Sequence, residues 1–499
     1  MIATTHAALL EQVAAEDPDH VLLEWQGQPI TVAAIVGRAR AIATRLIDDG
    51  VRPGDAIALM LDNHPDHVAL IFALALAGAV WVPLNAKLKG PALRHIADVT
   101  KPVGTIADAA YEETITAAGI AGKSWKAADL FALTPGNPGS LPGRNDIGPE
   151  STRTILFTSG TTGAPKGVIV TERMLLAAAG FAAMASGAEA GDRFHFWEPL
   201  IHVGGAQMLG LALMRRATLV MVPRFSASRF WDEVRAGRVT KAHYLGGVLD
   251  ILLKQPEDSR DRDHALALAF GAGARPEVWR AFESRFGVRL VEVYGMTEAS
   301  SFSTLNLDHV VGSIGKPAPG FTIRLLDADG NDVPDGERGE IVLRTDPAEL
   351  MTPGYLGNPE ATAELLRGGW LHTGDIARRD ADGNYVFSGR AKDMIRHKGE
   401  NVSAWEVERV LNDHPSVAES AVIGVPGELG EEDILACLKP ADDAEIDPAA
   451  IRAWCADRLA GFQLPRYLRI VAGFDKTPSE RIRKQTITRD VSGDIELRG

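Results

Sequence analysis

Apolar residues recur along the first part of the chain with two different periods. Leu9–Ala15 and Ile35–Ile47 carry the helical period and predict amphipathic helices, whereas Ala56–Leu61 and Ala79–Pro83 are short apolar runs that predict buried strands. Further strand candidates are Thr154–Thr158, Ala217–Val222 and Leu290–Tyr294. Strands that alternate with helical stretches predict mostly parallel β-sheets covered by helices, an α/β fold.

One apolar stretch is long enough to resemble a membrane span. Val68–Leu84 reads VALIFALALAGAVWVPL, which lies at the short edge for a transmembrane helix. It contains Gly78 and reaches Pro83, two residues that interrupt a helix. A buried helix, a glycine turn and a buried strand explain the stretch better, so no membrane span is predicted.

The pattern changes from about Gly320 onward. FTIRLLDADGNDVPDGERGEIVLRT and RRDADGNYVFSGR each predict two strands joined by Asp-Gly turns, which together form a β-rich annex. After the polar segment Gly389–Asp393, helix and strand patterns predict a small α+β domain. The expected domains are residues 1–389 and 392–499, with a hinge near Lys392, and the second domain is expected to be mobile.

Composition adds few constraints to this fold. The chain has 499 residues, of which 45% are hydrophobic and 24% charged, as in ordinary globular proteins. The two cysteines, Cys437 and Cys455, indicate a reducing compartment and buried structural thiols, and with no leader-like segment the cytoplasm is expected. The net charge of −14 disfavours nucleic acid as a partner.

The strongest chemical signal is the sequence TSGTTGAPKGV at Thr158–Val168, which follows the strand-like run TILFT. Glycines let backbone N–H groups approach an anion closely, the hydroxyl groups add donors, and Lys166 adds a positive charge. The segment does not fit the Walker A pattern, because no Lys-Ser or Lys-Thr pair closes it. It predicts a phosphate-binding loop of another kind, with a flexible Ser/Gly turn as the alternative.

Two further stretches place polar groups next to a glycine. VYGMTEAS ends a strand in Tyr294, whose ring can stack on a purine, and Glu298 follows as a carboxylate that can hold Mg²⁺ on phosphates. WLHTGDIA places Asp375 after a glycine turn, where it can accept hydrogen bonds from ribose hydroxyls. Each has an ordinary alternative, a common Tyr-Gly strand end and an Asp that closes a hairpin.

A fourth stretch, GRAKDMIRHKGENVSAWEVE at Gly389–Glu408, carries four basic residues that alone suit a solvated linker. Together the four stretches, with AGAVWVPLN at Ala77–Asn85, resemble the adenylate-forming superfamily over nearly the whole chain. That superfamily includes acyl-CoA synthetases, luciferases and the adenylation domains of peptide synthetases. RHKGENVSAWEVE is most similar to the carnitine- and crotonobetaine-CoA ligases among them. The resemblance implies an ATP-dependent activation of a carboxylic acid, with Mg²⁺ as cofactor and coenzyme A as co-substrate.

The resemblance also implies roles for individual residues. Thr158–Gly167 would cover the β- and γ-phosphates with Lys166 reaching them, Thr297 would lie near the α-phosphate, and Glu298 would hold Mg²⁺ together with Thr161. Gly271–Ala274 and Tyr294 would flank adenine. The full ATP-binding set is Thr158, Ser159, Gly160, Thr161, Thr162, Gly163, Lys166, Gly271, Ala272, Gly273, Tyr294, Gly295, Thr297, Asp375 and Arg390.

The substrate side is implied in the same way. His202 in PLIHVGG matches a gating position of the family, and Lys398, Gly399 and Glu400 would lie near the pantetheine path. The expected acyl pocket is formed by Trp197, His202, Gly204, Gly205, Tyr244, Gly246 and Met296. Because glycines at this wall leave room and the aromatic rings add apolar surface, the expected substrate is a mid-sized, partly apolar acid.

The tail departs from the family pattern. The family ends with Pro-x-Gly-Lys, whose lysine bridges the carboxylate and the α-phosphate, whereas the aligned residues here are Glu480 and Arg481 in KTPSERIRKQ. Arginine keeps the charge but has a wider, planar donor fork. Lys484 lies three residues further on. The hypothesis is that Arg481 or Lys484 supplies the cation for adenylation, which makes the expected catalytic set Lys166, Thr297, Glu298, Arg481 and Lys484.

Three functions fit these observations. The first is an AMP-forming acid–CoA ligase, and the second is an adenylating enzyme that passes the acyl group to a carrier protein or another nucleophile. The third is a binding or regulatory protein that kept the fold and lost the activity, which only the altered tail supports. In the family that the chain resembles, members that activate amino acids often carry a Phe-Asp pair whose Asp meets the substrate amine. Here Phe225 is followed by Ser226, which disfavours an amino-acid substrate. The expected partner is a small-molecule carboxylic acid, and the oligomeric state is left open, with a homodimer among the options.

Overall fold

The structure is a computed structural model that describes residues 3–88, 90–134, 147–158, 165–346, 348–397, 400–427, 432–442, 444–476 and 481–497. The described chain forms two compact units. The second unit contains residues 323–342 and those from His372 onward, and the first contains the rest. The hinge near Lys392 and the domain boundary at residues 389–392 stay predictions.

Threonine side chains cap several helices of the first unit. Thr5, Thr31 and Thr171 each accept a hydrogen bond from the backbone N–H three residues further on, which satisfies a donor that the first helical turn leaves open. The helices of the described chain are α1 (His6–Glu16), α2 (Val32–Asp48), α3 (Pro65–Ala77), α4 (Pro91–Thr100), α5 (Glu112–Ala117), α6 (Ala127–Phe131), α7 (Glu172–Ser186), α8 (Val203–Arg215), α9 (Ala227–Ala236), α10 (Gly246–Leu253), α11 (Pro276–Phe286), α12 (Pro359–Leu365), α13 (Ala404–Asn412) and α14 (Pro448–Ala456).

Two large sheets form the framework of the first unit. The strands are β1 (Val21–Trp25), β2 (Gln28–Thr31), β3 (Ala56–Met60), β4 (Val80–Pro83), β5 (Gly104–Ala107), β6 (Lys123–Lys126), β7 (Thr152–Thr158), β8 (Lys166–Thr171), β9 (Arg193–Phe196), β10 (Thr218–Met221), β11 (Lys241–Leu245), β12 (Leu268–Ala272), β13 (Arg289–Tyr294), β14 (Thr304–Leu305) and β15 (Lys316–Pro317). Within the described ranges, one sheet has the order β15-β14-β13-β12-β11-β9-β10-β1-β2 and the other β6-β5-β3-β4-β7-β8.

The interior of both sheets is parallel, as the alternating pattern predicts. Strands β9 to β13 pair in parallel, as do β3, β4, β5 and β6. Antiparallel pairs occur at the edges, where β1 meets β2, β7 meets β8 and β13 meets β14. Parallel strands align their carboxyl ends, so loops that follow β11, β12 and β13 open at one edge of the first sheet.

The stretch that resembles a membrane span is a buried helix and strand. α3 ends at Gly78, which adopts the left-handed conformation with φ 72°, and β4 follows. This confirms the predicted helix, glycine turn and strand. None of the helices in the described ranges is long and apolar enough to cross a membrane.

The second unit contains the annex and the C-terminal domain. Its strands are β16 (Phe321–Leu326), β17 (Arg338–Thr345), β18 (Leu371–Arg379), β19 (Tyr385–Arg390), β20 (Met394–His397), β21 (Glu400–Ser403), β22 (Val417–Pro426), β23 (Glu432–Pro440), β24 (Tyr467–Ile470) and β25 (Ile495–Glu496); the ends of β16, β17 and β18 belong to the first unit. The described strands form the sheets β16-β17-β18-β19, β20-β21 and β22-β23-β24-β25.

The two cysteines lie inside this second unit. Cys437 on β23 and Cys455 on α14 are both buried and unbonded to each other. Burial raises the pKa of each thiol to about 11. Both thiols are buried, as expected of structural cysteines, and burial disfavours the nucleophilic thiolate form at neutral pH.

Candidate active site

The predicted phosphate loop connects two antiparallel strands. Strands β7 and β8 pair up to Thr158 and Lys166, which face each other at the last described rung. Ser159, Gly160, Thr161, Thr162 and Gly163 lie outside the described residues. Beyond them, His95 donates from Nε2 to the carbonyl oxygen of Pro165 at 2.9 Å. The loop therefore begins and ends on fixed backbone.

A second segment lies along β8. The amide of Leu356 donates to the carbonyl of Gly167 at 2.8 Å, and Val168 forms a β-bridge with Tyr355. A Cβ atom at Gly167 would lie 2.9 Å from Cγ2 of Ile155, so this rung accepts only glycine without a shift of its neighbours. The packing brings the side chain of Tyr355 to the phosphate hairpin.

Tyr355 links the two charged groups that the motifs single out. The Lys166 ammonium lies over the Tyr355 ring at 5.0 Å from its centre, within the range of a cation–π contact. The Tyr355 hydroxyl donates to Oε1 of Glu298 at 2.8 Å. Burial, with the Glu298 charge as a second cause, raises the pKa of Tyr355 far above its usual value, so the hydroxyl remains a donor. One phenol thus contacts both the loop cation and the carboxylate.

Glu298 sits in a short helical turn after β13. The turn covers Thr297–Ala299, and its backbone is held where the amide of Thr352 donates to the carbonyl of Glu298 at 2.8 Å. Glu298 is buried, whereas Met296 and Thr297 are half-buried. The turn therefore fixes the carboxylate and leaves Thr297 partly exposed.

The expected adenine loop follows β12. Gly271 and Ala272 end the strand, and Gly273 has φ 93°, in the left-handed region that favours glycine. Tyr294, at the end of β13, is buried, and a Cβ at Gly295 would lie 1.8 Å from the carbonyl oxygen of Ser301. Gly273 is thus favoured by its backbone conformation, and Gly295 by close backbone approach. Contact of this loop with adenine stays a prediction.

The expected acyl wall is formed by the loop before α8 and the end of β11. Trp197 is half-buried, its ring lies 5.4 Å from that of Phe225, and its Nε1 donates to the carbonyl of His243 at 3.2 Å. His202 is half-buried at the N-cap position of α8. Glu198 and His243, two buried groups that the motifs did not single out, approach to 3.0 Å behind this wall.

The wall needs one correction and one refinement. Tyr244 does not line an open pocket, because only 1% of its surface is exposed and it belongs to the hydrophobic core. The sequence places Tyr244 near the end of a strand, but it does not show whether the ring faces a pocket or the core.

The glycines of the wall also divide into two kinds. A Cβ at Gly205 would lie 2.4 Å from the carbonyl oxygen of Pro199, and one at Gly246 would lie 2.2 Å from that of Gly273. By contrast, a Cβ at Gly204 would meet only Cε1 of His243 at 3.8 Å, and one at Gly247 would meet nothing within 4 Å. Gly204 and Gly247 thus border open space, while Gly205 and Gly246 serve backbone packing.

In the second unit, the two residues expected at the ribose stand opposite each other. Asp375 on β18 pairs with Arg390 on β19, and Nε of Arg390 lies 3.0 Å from Oδ1 of Asp375. Asp375 is buried and Arg390 is partly exposed. Gly374 before them has φ 68°, and its amide donates to Glu340 at 3.1 Å. The strand pair thus holds the carboxylate in one orientation.

The remaining predicted residues lie around the β20–β21 hairpin and in the tail. Lys392 lies in a short helical turn after Arg390, and Glu400 begins β21; Lys398 and Gly399 lie outside the described residues. Arg481 is exposed. Lys484 is turned inward, with its Nζ 2.7 Å from Oε1 of Glu408 and 3.6 Å from Oδ2 of Asp393.

Comparison with known proteins now decides the family. Residues 10–356 match the model of the AMP-binding enzyme family, and residues 406–481 match that of the AMP-binding enzyme C-terminal domain. The chain belongs to the AMP-binding enzyme family. The C-terminal match ends at Arg481, the position that sequence alignment gave to the tail cation.

Relatives of known activity cover nearly the whole of this AMP-binding enzyme. A sulfoacetate–CoA ligase of Cupriavidus necator is 32% identical, with 96% of each chain covered. A feruloyl-CoA synthase of an Amycolatopsis species is 34% identical, covering 95% of this chain and 97% of that one. A crotonobetaine/carnitine–CoA ligase of Salmonella typhi is 29% identical over 88% of this chain and 89% of its own. The resemblance to acyl-CoA synthetases is confirmed, and this AMP-binding enzyme is an acid–CoA ligase.

Solved structures give the same result for the fold. The o-succinylbenzoate CoA synthetase of Bacillus subtilis, in complex with its acyl-adenylate intermediate, matches with a TM-score of 0.86 and 25% identity over 96% of this chain and 97% of its own. The ATP-bound MatB of Rhodopseudomonas palustris matches with a TM-score of 0.87 and 25% identity over 96% of this chain and 98% of its own. The predicted α/β fold with a smaller α+β C-terminal part is confirmed.

Besides Glu198 and His243, the sequence motifs did not single out Tyr355, His95 or Glu292, which accepts a hydrogen bond from the amide of Ala274 in the expected adenine loop. Tyr355 follows a Pro-Gly turn outside the motifs, and His95 lies on α4, far from the loop in sequence. Glu292 interrupts the apolar strand LVEVY, which was a visible signal, since an acidic residue in a buried strand requires partners. Tyr355 and His95 have no comparable signal in the sequence around them.

Proposed function

We propose that this enzyme binds ATP and a carboxylic acid in the first unit and joins them there as an acyl-adenylate with release of pyrophosphate. Coenzyme A then takes the acyl group, and AMP leaves. The single observation that carries the residue assignment is the contact of Tyr355 with both Lys166 and Glu298. One ring thereby contacts the loop cation over its face and the carboxylate through its hydroxyl, which supports a site for a metal-bound polyphosphate.

Within this proposal the first unit supplies the groups around the phosphates. The hairpin loop from Thr158 to Gly167 surrounds the β- and γ-phosphates, and Lys166 neutralises part of their charge. Thr297, half-buried beside Glu298, lies near the α-phosphate and the substrate carboxylate. Two anions approach each other in this step, so positive charge and fixed donors lower its barrier.

Glu298 is the proposed protein ligand of Mg²⁺. Magnesium is usually held by one or two carboxylates together with substrate phosphates. The described residues contain no cluster of three or more His, Cys, Asp or Glu side chains that could hold a metal alone, and a single carboxylate oriented by Tyr355 fits an ion that arrives with ATP. Bound there, the ion would neutralise phosphate charge. Thr161 is a second proposed ligand outside the described residues.

The second unit would contribute the ribose contacts and the lid. The paired Asp375 and Arg390 present a carboxylate and a guanidinium that suit ribose hydroxyls. Lys392 is the proposed hinge, and Lys398–Glu400 are proposed near the pantetheine path. In this scheme the lid delivers different residues to the site in the two half-reactions.

The adenylation cation is proposed to be Arg481 rather than Lys484. Lys484 is engaged with Glu408, which is partly buried and also accepts a hydrogen bond from the amide of Val422 at 2.7 Å. Moving Lys484 away would leave a partly buried carboxylate without its counter-charge, which is costly. Arg481 is exposed and ends the C-terminal family match.

The proposed substrate is a mid-sized, partly apolar acid. The open space at Gly204 and Gly247 and the half-buried rings of Trp197 and Phe225 support this choice. Among the relatives, the feruloyl-CoA synthase and an indoleacetate–CoA ligase of Aromatoleum aromaticum act on aromatic acids of this size.

A substrate panel tests the proposal. Purified enzyme with ATP, Mg²⁺ and coenzyme A is given short, aromatic, alicyclic and long-chain acids, and AMP and the thioester are quantified. We expect the highest kcat/KM for an aromatic or alicyclic acid. A clear preference for fatty acids beyond about 14 carbons would contradict a mid-sized substrate, because each added methylene needs its own apolar contact.

A variant tests the proposed metal ligand. Tyr355→Phe is expected to raise the Mg²⁺ concentration needed for half-maximal activity, because it removes the hydrogen bond that orients Glu298.

A further inference from the structure

Three residues stand in register across adjacent strands beneath the expected nucleotide loop. Tyr244 on β11 pairs with Gly271 on β12, and Gly271 pairs with Glu292 on β13. The outer two side chains meet across the middle strand, where the tyrosine hydroxyl donates to Oε2 of Glu292 at 2.5 Å. All three positions belong to the parallel interior of the large sheet.

Gly271 makes this contact possible. A Cβ at this position would lie 1.9 Å from the carbonyl oxygen and 2.8 Å from Cγ of Tyr244. The phenol side chain therefore occupies the space that a side chain on Gly271 would take. The missing side chain on the middle strand is what lets Tyr244 reach Glu292.

The carboxylate also holds the loop that follows β12. Oε1 of Glu292 accepts hydrogen bonds from the backbone amides of Gly273 and Ala274, the latter at 3.1 Å. The next residue, Arg275, pairs through Nη2 with Oδ1 of Asp250 at 2.6 Å. The two amides point at Glu292 because Gly273 adopts φ 93°, which turns the chain back over the sheet.

Burial makes this arrangement expensive for stability. Glu292 is 5% exposed, and burial raises its pKa to about 8 even though Tyr244 and the two amides favour the charged form. Removing the acid would leave the amides of Gly273 and Ala274 without their acceptor, and a buried donor without a partner is costly. The carboxyl group of Glu292 therefore fixes the path of the loop backbone at residues 271–274.

We propose that Glu292 is a positioning residue of the nucleotide site, which shapes the loop at residues 271–274 for adenine, with Tyr244 as its brace. The proposal rests on the proposed function, since that assigns this loop to ATP. Glu292 acts through the loop backbone and is not a catalytic residue. Tyr244, expected at the acyl wall, instead supports the nucleotide side.

The test compares four variants with the wild type. Glu292→Met removes the acceptor at similar length, Glu292→Gln keeps an acceptor oxygen and a donor toward Tyr244, and Tyr244→Phe removes only the brace. Glu172→Met is the matched control, because Glu172 is also a buried acid of the first unit, paired with His6 and Arg153. The Kd for Mg-ATP is measured by calorimetry without acid or coenzyme A, and KM for ATP and for the acid is measured separately.

We expect Glu292→Met to weaken ATP binding about 10- to 100-fold, since two hydrogen bonds to a buried group are lost. Glu292→Gln should stay within about threefold of wild type and Tyr244→Phe should fall between the two. The KM for the acid at saturating ATP should change little in all of them. Glu172→Met should lower the melting temperature without changing the Kd of the folded protein for ATP.

Two results would overturn the proposal. One is a folded Glu292→Met protein that binds ATP as the wild type does, and the other is an equal loss for Glu292→Gln and Glu292→Met. If Glu292→Met does not fold, Glu292→Asp takes its place, because the shorter carboxylate cannot reach both amides, and unchanged ATP binding then has the same meaning. Wild type that binds ATP but forms no thioester with any acid would contradict the proposed function and leave this inference standing.

Discussion

One carboxyl group in each unit has a pKa that burial raises. Glu292 in the first unit has its pKa raised to about 8 by burial. Glu408 in the second also has its pKa raised by burial, against the opposing effect of Lys484. Both carboxyl groups accept hydrogen bonds from backbone amides, so each holds a chain segment in place in addition to titrating. Two predictions follow from these groups and their partners.

The first prediction concerns pH and stability. The folded protein holds the Glu292 proton up to about pH 8, whereas the unfolded chain loses it near its ordinary pKa of 4.5. The stabilising contribution is therefore complete below pH 4.5 and is lost as the pH rises through about 8. The free energy of unfolding of wild type relative to Glu292→Gln should fall by about 2 kcal/mol between pH 6 and pH 8. Denaturant titrations at several pH values measure this, and a constant difference would contradict it.

The second prediction separates Arg481 from Lys484. Arg481→Ala should slow pyrophosphate release about 100-fold or more, the cost of removing one charge-stabilising donor. Lys484→Met should keep the rate within about threefold but destabilise the second unit by about 1 to 3 kcal/mol, because the partly buried Glu408 loses its counter-charge. Single-turnover pyrophosphate release and thermal unfolding measure the two effects. If both variants release pyrophosphate at the wild-type rate, neither residue is the cation.

At the scale of elements, short backbone approaches decide which glycines shape the site. Four glycines near the acyl wall look equivalent in the sequence, yet Gly205 and Gly246 are packed against carbonyl groups while Gly204 and Gly247 border open space. Sequence patterns predict the helices and strands here because period and turn residues are local signals. They do not predict which side of a strand-end loop meets another backbone, since that depends on residues distant in sequence.

The third prediction uses neighbouring glycines of helix α8. Gly204→Ala should fold and gain up to about 1 kcal/mol of helix stability, and should raise KM for bulky acids about 10-fold or more by narrowing the pocket. Gly205→Ala should instead lose about 2 kcal/mol or more, because its Cβ would lie 2.4 Å from the Pro199 carbonyl oxygen. Thermal unfolding and kinetics with a small and a bulky acid compare the pair. Equal behaviour of the two variants would refute the division of these glycines.

At the scale of the whole molecule, the motifs and their order along the chain predicted the family and the fold correctly. The phosphate loop and the Tyr294–Glu298 turn follow strand ends, whereas Asp375 lies within β18 directly after a glycine, and each of these is a local sequence signal. Tyr355 and His95 reach the hairpin only through tertiary packing, and the inward turn of Lys484 depends on Glu408 from another element. The placement of such residues is a property of the folded chain, and no spacing rule contains it.

The most direct test of the account is the product balance of the two half-reactions in wild-type enzyme. Enzyme with ATP, Mg²⁺ and the preferred acid, but without coenzyme A, should release a burst of pyrophosphate limited by the enzyme concentration and retain acyl-AMP. Addition of coenzyme A should then give AMP and the acyl-CoA thioester in equal amounts. Formation of ADP and phosphate, or pyrophosphate release that does not depend on the acid, would contradict the account.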